Sequence, residues 1–157
     1  FALRVKDMVC ASGINPKRLR LEITESGLMD DTRRSIALLH ALCDIGLPLS
    51  IDDFGTGYSS LAYLQQMPVA ELKIDRSFID KVDASPGTQR LVHAMVEMGH
   101  GLGLMVTAEG VETEAEKATI TRLGCDVMQG YLGSRPLHGK ALQDWLDHLQ
   151  PPSPTPA

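Results

Sequence analysis

Apolar and polar positions along the chain follow two different rhythms. Short apolar runs of strand type occupy residues 19–24 (LRLEIT), 47–53 (LPLSIDD), 70–75 (AELKID), 104–109 (LMVTAE) and, more briefly, 125–130 (CDVMQG). Between them lie longer stretches whose apolar residues recur at helical spacing: 31–46 (DTRRSIALLHALCDIG), 87–103 (GTQRLVHAMVEMGHGLG) and 113–124 (TEAEKATITRLG). The first opens on Asp31 and Thr32, side chains that accept hydrogen bonds from the free N–H groups of a first helical turn, and all three run into a glycine near their C-terminal ends. The N-terminal FALRVKDMVC reads as an amphipathic helix, and Trp145 in LQDWLDHL is expected to anchor a last helix against the sheet. Strand and helix in alternation predict an α/β fold, a parallel sheet covered by helices.

A second regularity lies at the strand ends. Glu22, Asp52, Asp53, Lys73, Asp75, Glu109 and Gln129 all fall in or just after the C-terminal half of a strand candidate. In a (β/α) barrel those ends converge on one rim, so polar side chains far apart in sequence meet there. A buried strand has no structural use for a carboxylate, because an unpaired one costs several kcal/mol. The expectation is a partial TIM-like barrel holding about five of the eight βα units, with the N-terminal strands missing, because a whole barrel takes about 250 residues. One domain is expected over residues 1–150, and the proline-rich PPSPTPA of 151–157 is expected to be a disordered tail. The two outer strands would leave unpaired edges, which predicts a homodimer or strand exchange.

Composition narrows the function classes. Hydrophobic residues make up 43% and charged residues 22%, the balance of a globular domain with a real core. No apolar run approaches the roughly 18 residues of a membrane span, and no secretory signal is visible, so a cytoplasmic location is expected, with a parent protein free to be membrane-anchored. The net charge of −5 argues against a nucleic acid polymer as partner and leaves room for a small anionic ligand received by local cations. Cys10, Cys43 and Cys125 match neither a disulfide framework nor a metal pair and are expected to be small buried hydrophobes. The five histidines are expected at surface or core-edge positions rather than as ligands, and the methionines of HAMVEMGHGLGLM as packing.

The adjacent Asp52 and Asp53 carry the chemistry. Neighbouring side chains on a strand point to opposite faces, so both reach one point only if the chain twists between them, and the following FGTGYSS supplies glycines for such a turn. Two carboxylates that close repel unless a cation sits between them. Oxygen donors without histidine or cysteine suit Mg²⁺ or Mn²⁺. One aspartate bridging two metals about 4 Å apart would suit in-line phosphodiester hydrolysis. Glu22 is then a ligand from the neighbouring strand, Lys73 the group that holds or polarises the attacking water, and Glu109 a ligand or proton acceptor.

LRLEITES, IDDFGTGYSSLAYL, LKIDRSFI, TAEGVET and MQGYLGSRP resemble the successive motifs of the EAL-domain family, bacterial phosphodiesterases that open cyclic di-GMP to linear pGpG; the resemblance runs from about residue 13 to 149. It implies that Glu22 and Asp52 ligate a first metal, that Asp53 and Glu109 ligate a second with Asp52 shared, and that Lys73 holds the nucleophilic water with Gln129 nearby. Glu25 would anchor the loop of residues 54–64, which the family links to metal, substrate and dimerisation. Asp75, Glu112, Arg135 and Pro136 would take support or substrate roles. Sensor or GGDEF domains often accompany such domains in the parent protein. The Glu-Ala-Leu-x-Arg strand that names the family, and the asparagine of the next strand, are absent from these 157 residues. The chain by itself is therefore expected to be weak or inactive unless another segment restores them. The competing readings are a non-catalytic cyclic di-GMP receptor and a protein-interaction module.

Overall fold

A computed structural model of the chain describes residues 1–25, 27, 32–57 and 61–148. Five strands, β1 (Leu21–Thr24), β2 (Leu49–Phe54), β3 (Glu71–Ile74), β4 (Met105–Glu109) and β5 (Val127–Gln129), form one sheet in the order β1-β2-β3-β4-β5. Every pairing is parallel. Among the described residues seven α-helices accompany them: α1 (Ala2–Ser12), α2 (Thr32–Cys43), α3 (Leu61–Leu64), α4 (Arg76–Ile79), α5 (Pro86–Gly101), α6 (Glu114–Leu123) and α7 (Gly139–His148). Sequential parallel strands joined through helices are the arrangement of a partial TIM-like (β/α) barrel. None of the helices among the described residues is long and apolar enough to cross a membrane.

The sheet has two chemically distinct faces because the side-chain period of a strand is two. Leu49 and Ile51, Leu72 and Ile74, Val106 and Ala108 alternate onto one face, are all at most 1% exposed, and belong to one core with Val92 and Val96 of α5 and Ile120 of α6. Ser50 and Asp52, Glu71 and Lys73, Thr107 and Glu109 alternate onto the other. The strands therefore bury polar side chains as well as apolar ones, and the polar face positions the site.

Helix ends follow local chemistry. Ser85 accepts the Thr88 N–H at the start of α5, with Pro86 in its first turn. Thr113 and Glu116 form a reciprocal capping box on α6, which ends on the left-handed Gly124. All five strands are shorter than their apolar runs, and the starts of β1 and β5 show local reasons. Leu19 is consumed by closing a 3₁₀ turn at Pro16–Arg18, and Cys125 by donating its N–H to the Ile120 carbonyl behind α6. The one-turn helices α3 and α4 are additions to the sequence reading.

Two expectations are corrected. Trp145 anchors nothing: it is 38% exposed and α7 buries none of its residues, because no described element covers the face carrying Leu142, Trp145 and Leu146. Cys10 is exposed rather than buried, since α1 turns only Val9 into the core, whereas Cys43 and Cys125 are half-buried. The cap expected from Asp31, the 58–60 portion of the loop after the double aspartate, and the tail from Pro151 lie outside the described residues.

Candidate metal centre

The twist demanded by two adjacent aspartates is present. Asp53 takes the left-handed φ of 54°, a conformation that aspartate tolerates better than most residues. The ladder between β2 and β3 slips between Ile51 and Phe54 at the same place. Asp52 remains in register opposite Thr24 of β1. Carboxylate oxygens of Asp52, Asp53 and Glu109 all come within 4.8 Å of one another. Among the described residues no histidine or cysteine joins that group.

Lys73 sits in the middle with its side chain only 3% exposed. Its Nζ lies 2.7 Å from Glu22 Oε1, 2.6 Å from Glu109 Oε1 and 3.3 Å from Asp52 Oδ1. The last is an ion pair by distance without hydrogen-bond geometry, so Asp52 Oδ1 is a buried oxygen that no donor satisfies. Burial disfavours the charged ammonium, yet hydrogen bonds to Glu109 and Glu22 outweigh that cost and hold Lys73 above the ordinary lysine value. Lys73 is accordingly a fixed cation rather than a base. Loss of water pushes the Asp53 carboxyl up, and the charges of Asp52 and Asp75 push the same way. Loss of water also raises Glu109, with Lys73 opposing and Asp52 adding to the rise. Asp53 and Glu109, both lifted by burial and by the Asp52 charge, together with the orphaned Asp52 oxygen, are a donor set suited to a hard divalent cation such as Mg²⁺ or Mn²⁺. Glu22, with its side chain 47% exposed, meets the same ammonium without belonging to the tight group of three.

The surroundings are built from neighbouring strand ends. Glu25, 2% exposed, accepts the N–H of Gly55 at 3.0 Å and of Gly57 at 3.1 Å, and so holds the start of the loop after the double aspartate. Gln129 pairs with Glu109 in register at the end of β5. Both line a cleft of about 240 Å³ with Arg76, Gly110, Glu112, Gly130 and Tyr131. Arg76 pairs with Glu112 at 2.7 Å. Gly110 has a φ of 72° and a Cβ there would collide with the Arg76 stem, so glycine is required on both counts. The Arg135 guanidinium stacks 5.0 Å from the Tyr131 ring. Pro136 is exposed outside the cleft. Asp75 turns to capping α4, accepting the Ser77 N–H at 3.0 Å. Another hollow, about 270 Å³ between β1 and α2, is lined by apolar side chains and carries one charged residue, Glu22.

Sequence reasoning did not single out Arg76 and Tyr131 in the cleft, nor a polar layer nearer the strand beginnings. There Glu71, 3% exposed, accepts from Arg20 and from Thr107. The signal was available in the alternation: Arg20, just before β1, and Glu71 of β3 stand two residues before Glu22 and Lys73.

Comparison with known proteins adds to this geometry. The chain is 45% identical over 138 residues to the bifunctional diguanylate cyclase/cyclic di-GMP phosphodiesterase MucR of Pseudomonas aeruginosa, covering 88% of this chain and 20% of MucR. It is 48% identical over 128 residues to the cyclic di-GMP phosphodiesterase NbdA of the same organism, covering 82% of this chain and 16% of NbdA. The chain thus spans about a fifth of the length of these curated relatives. Among solved structures it superimposes on the MucR phosphodiesterase in complex with c-di-GMP with a TM-score of 0.84 at 45% identity, covering 88% of this chain and 56% of that one. On the manganese/cy-diGMP complex of Klebsiella pneumoniae BlrP1 the TM-score is 0.78 at 34% identity, covering 84% and 34%. The EAL domain family model matches residues 1–136. With the strand ends, the paired aspartates and the parallel sheet all in that frame, the chain belongs to the EAL domain family.

Proposed function

We propose that this chain forms part of a metal-dependent phosphodiesterase that opens cyclic di-GMP to linear pGpG. One observation carries the reading: Asp52, Asp53 and Glu109 bring carboxylate oxygens within 4.8 Å of one another, with the Lys73 ammonium paired to Asp52 and Glu109, in a chain of the EAL domain family. Glu22, Asp52, Asp53 and Glu109 would hold one or two Mg²⁺ or Mn²⁺ ions, with Asp52 shared. Such ions, when bound, supply Lewis acidity and charge to the phosphoryl oxygens.

The chain's own residues do the rest. Lys73, kept protonated by its ion pairs, donates to the attacking water and orients it. Glu109, whose affinity for a proton is raised by burial, accepts the proton that the water loses as its oxygen bonds to phosphorus. The P–O3′ bond breaks, the leaving O3′ takes a proton from water, and the ring opens to a 5′-phosphate and a 3′-hydroxyl. Gln129, Glu112 and Arg76 present amide, carboxylate and guanidinium groups to the nucleotide, and Tyr131 backed by Arg135 offers a stacking wall. Glu25 and Asp75 keep the loop and the start of α4 in place, and Pro136 closes the motif after Arg135. We further propose that the open edges of β1 and β5 pair between copies, which sedimentation at rising concentration tests.

The deciding experiment incubates the chain with cyclic di-GMP and Mg²⁺ or Mn²⁺ and separates the products chromatographically. Weak or no turnover is expected of the chain by itself, and metal-dependent pGpG, lost in Asp52→Asn and in Lys73→Met, once a preceding segment supplies the Glu-Ala-Leu-x-Arg strand and the asparagine of the next strand. In that completed form, binding of cyclic di-GMP without turnover would reassign the chain as a receptor, and neither binding nor turnover would reassign the site to protein interaction.

A further inference from the structure

The polar face of the sheet carries two charged layers, one beginning two residues before the other. At the rim, Lys73 of β3 reaches Glu22 beside β2. On the floor the direction is reversed: Arg20, just before β1, reaches Glu71 of β3. Arg20 and Glu22 share a face because they are two residues apart, about 6–7 Å along the strand. Glu71 and Lys73 share a face of β3 for the same reason. Signs therefore alternate along each strand and across the sheet. On β2 the position opposite both Glu22 and Glu71 is Ser50, a fully buried small side chain that leaves room for a guanidinium to span from β1 to β3.

The arrangement has a consequence for Arg20. Four carboxylates gather at the rim and three of them pair with one ammonium, so any mobile cation nearby is drawn there. Arg20 is the nearest one by sequence, on a long stem, and its side chain is 37% exposed rather than packed in place. It stays on the floor because Glu71 takes its Nη1 on one oxygen and the Thr107 hydroxyl on the other. We propose that Glu71 is a positioning residue for the metal centre, pinning Arg20 to the floor so that its guanidinium does not swing to Glu22 and occupy the place of a divalent cation. This rests on the metal-centre reading above.

The test is Mn²⁺ binding to the full chain, followed by calorimetry and by the loss of the free Mn²⁺ spin-resonance signal. Glu71→Gln is expected to weaken Mn²⁺ binding about tenfold, the range seen when groups behind metal ligands are removed. Adding Arg20→Met is expected to restore it, which a general loss of structure would not do. Wild-type affinity in Glu71→Gln, or no recovery in the double variant, overturns the proposal. Should Glu71→Gln fail to fold, Arg20→Met alone decides: binding at least as tight as wild type supports the proposal and weaker binding overturns it. A wild-type chain that binds no Mn²⁺ overturns the metal-centre reading itself and the pinning role with it, whereas wild-type binding unaffected by Glu71→Gln overturns the pinning role alone.

Discussion

On the floor of the polar face, Glu71 has both carboxylate oxygens occupied by Arg20 and Thr107 and the charges balance. Two residues further along the same strands, Lys73 faces Glu22, Asp52 and Glu109, with Asp53 adding a fourth carboxylate and Asp52 Oδ1 left without a hydrogen bond. The same kinds of side chain thus form a charge-balanced layer and, next to it, an overcharged one, while the buried Ser50 hydroxyl of the balanced layer also lacks a hydrogen bond among the described residues. The difference teaches that buried charge alone marks no site. A surplus of one sign, held in place by the fold, marks a candidate place for another ion.

Lys73→Met breaks the contrast most severely. Removing the sole ammonium leaves the rim carboxylates facing one another, and because Glu22 and Asp52 keep some contact with water the expected loss is about 3 kcal/mol. Urea unfolding in chelator measures it, and Mn²⁺ should return most of the stability. A loss well under 1 kcal/mol would mean that the rim is not overcharged. Next in size is Glu25→Leu, which strands the N–H groups of the half-buried Gly55 and the exposed Gly57 and is expected to cost about 1 to 2 kcal/mol in the same assay.

Glu116 offers a balanced counterpart away from the rim. Burial pushes its carboxyl up, but the backbone N–H groups of Glu112, Lys81 and Thr113 outweigh that and hold it below the ordinary 4.5. With the folded value the lower of the two, its stabilisation is complete above 4.5 and disappears as pH falls through the depressed value. Thermal midpoints from about pH 6 to about pH 3 should therefore fall less steeply in Glu116→Gln than in wild type, a difference of about 1 kcal/mol at most. The smallest effect is expected on the floor. Removing both partners in Arg20→Met with Glu71→Gln should change stability by less than about 1 kcal/mol, because a matched buried pair offsets little more than its own desolvation. A large loss there would erase the distinction between the two layers.

Much of this protein was legible in one dimension. Apolar runs located all five strands, since burial between helices demands them wherever the chain passes through the sheet. Thr113, Glu116 and Gly124 announced the limits of α6, because capping uses groups within four residues of one another. Asp52 and Asp53 announced the twist that β2 shows, because adjacent side chains on a regular strand point to opposite faces and reach one point only if the chain turns between them.

Other features depend on partners distant in sequence. Cys10 and Trp145 look like core residues by type and are exposed, because α1 and α7 meet too little of the described chain to cover them. Glu71 looks like a solvated strand start and is buried, because Arg20 and Thr107, 51 and 36 residues away, come to both its oxygens. The sequence by itself determined the order of the elements and the residue types at their ends, since those follow from local hydrogen bonding and the period of a strand. Only the tertiary structure decided which charges pair, which remain in surplus and which carboxylates converge. Ion pairing is a matter of distances between strands, and parallel register sets those distances across dozens of intervening residues.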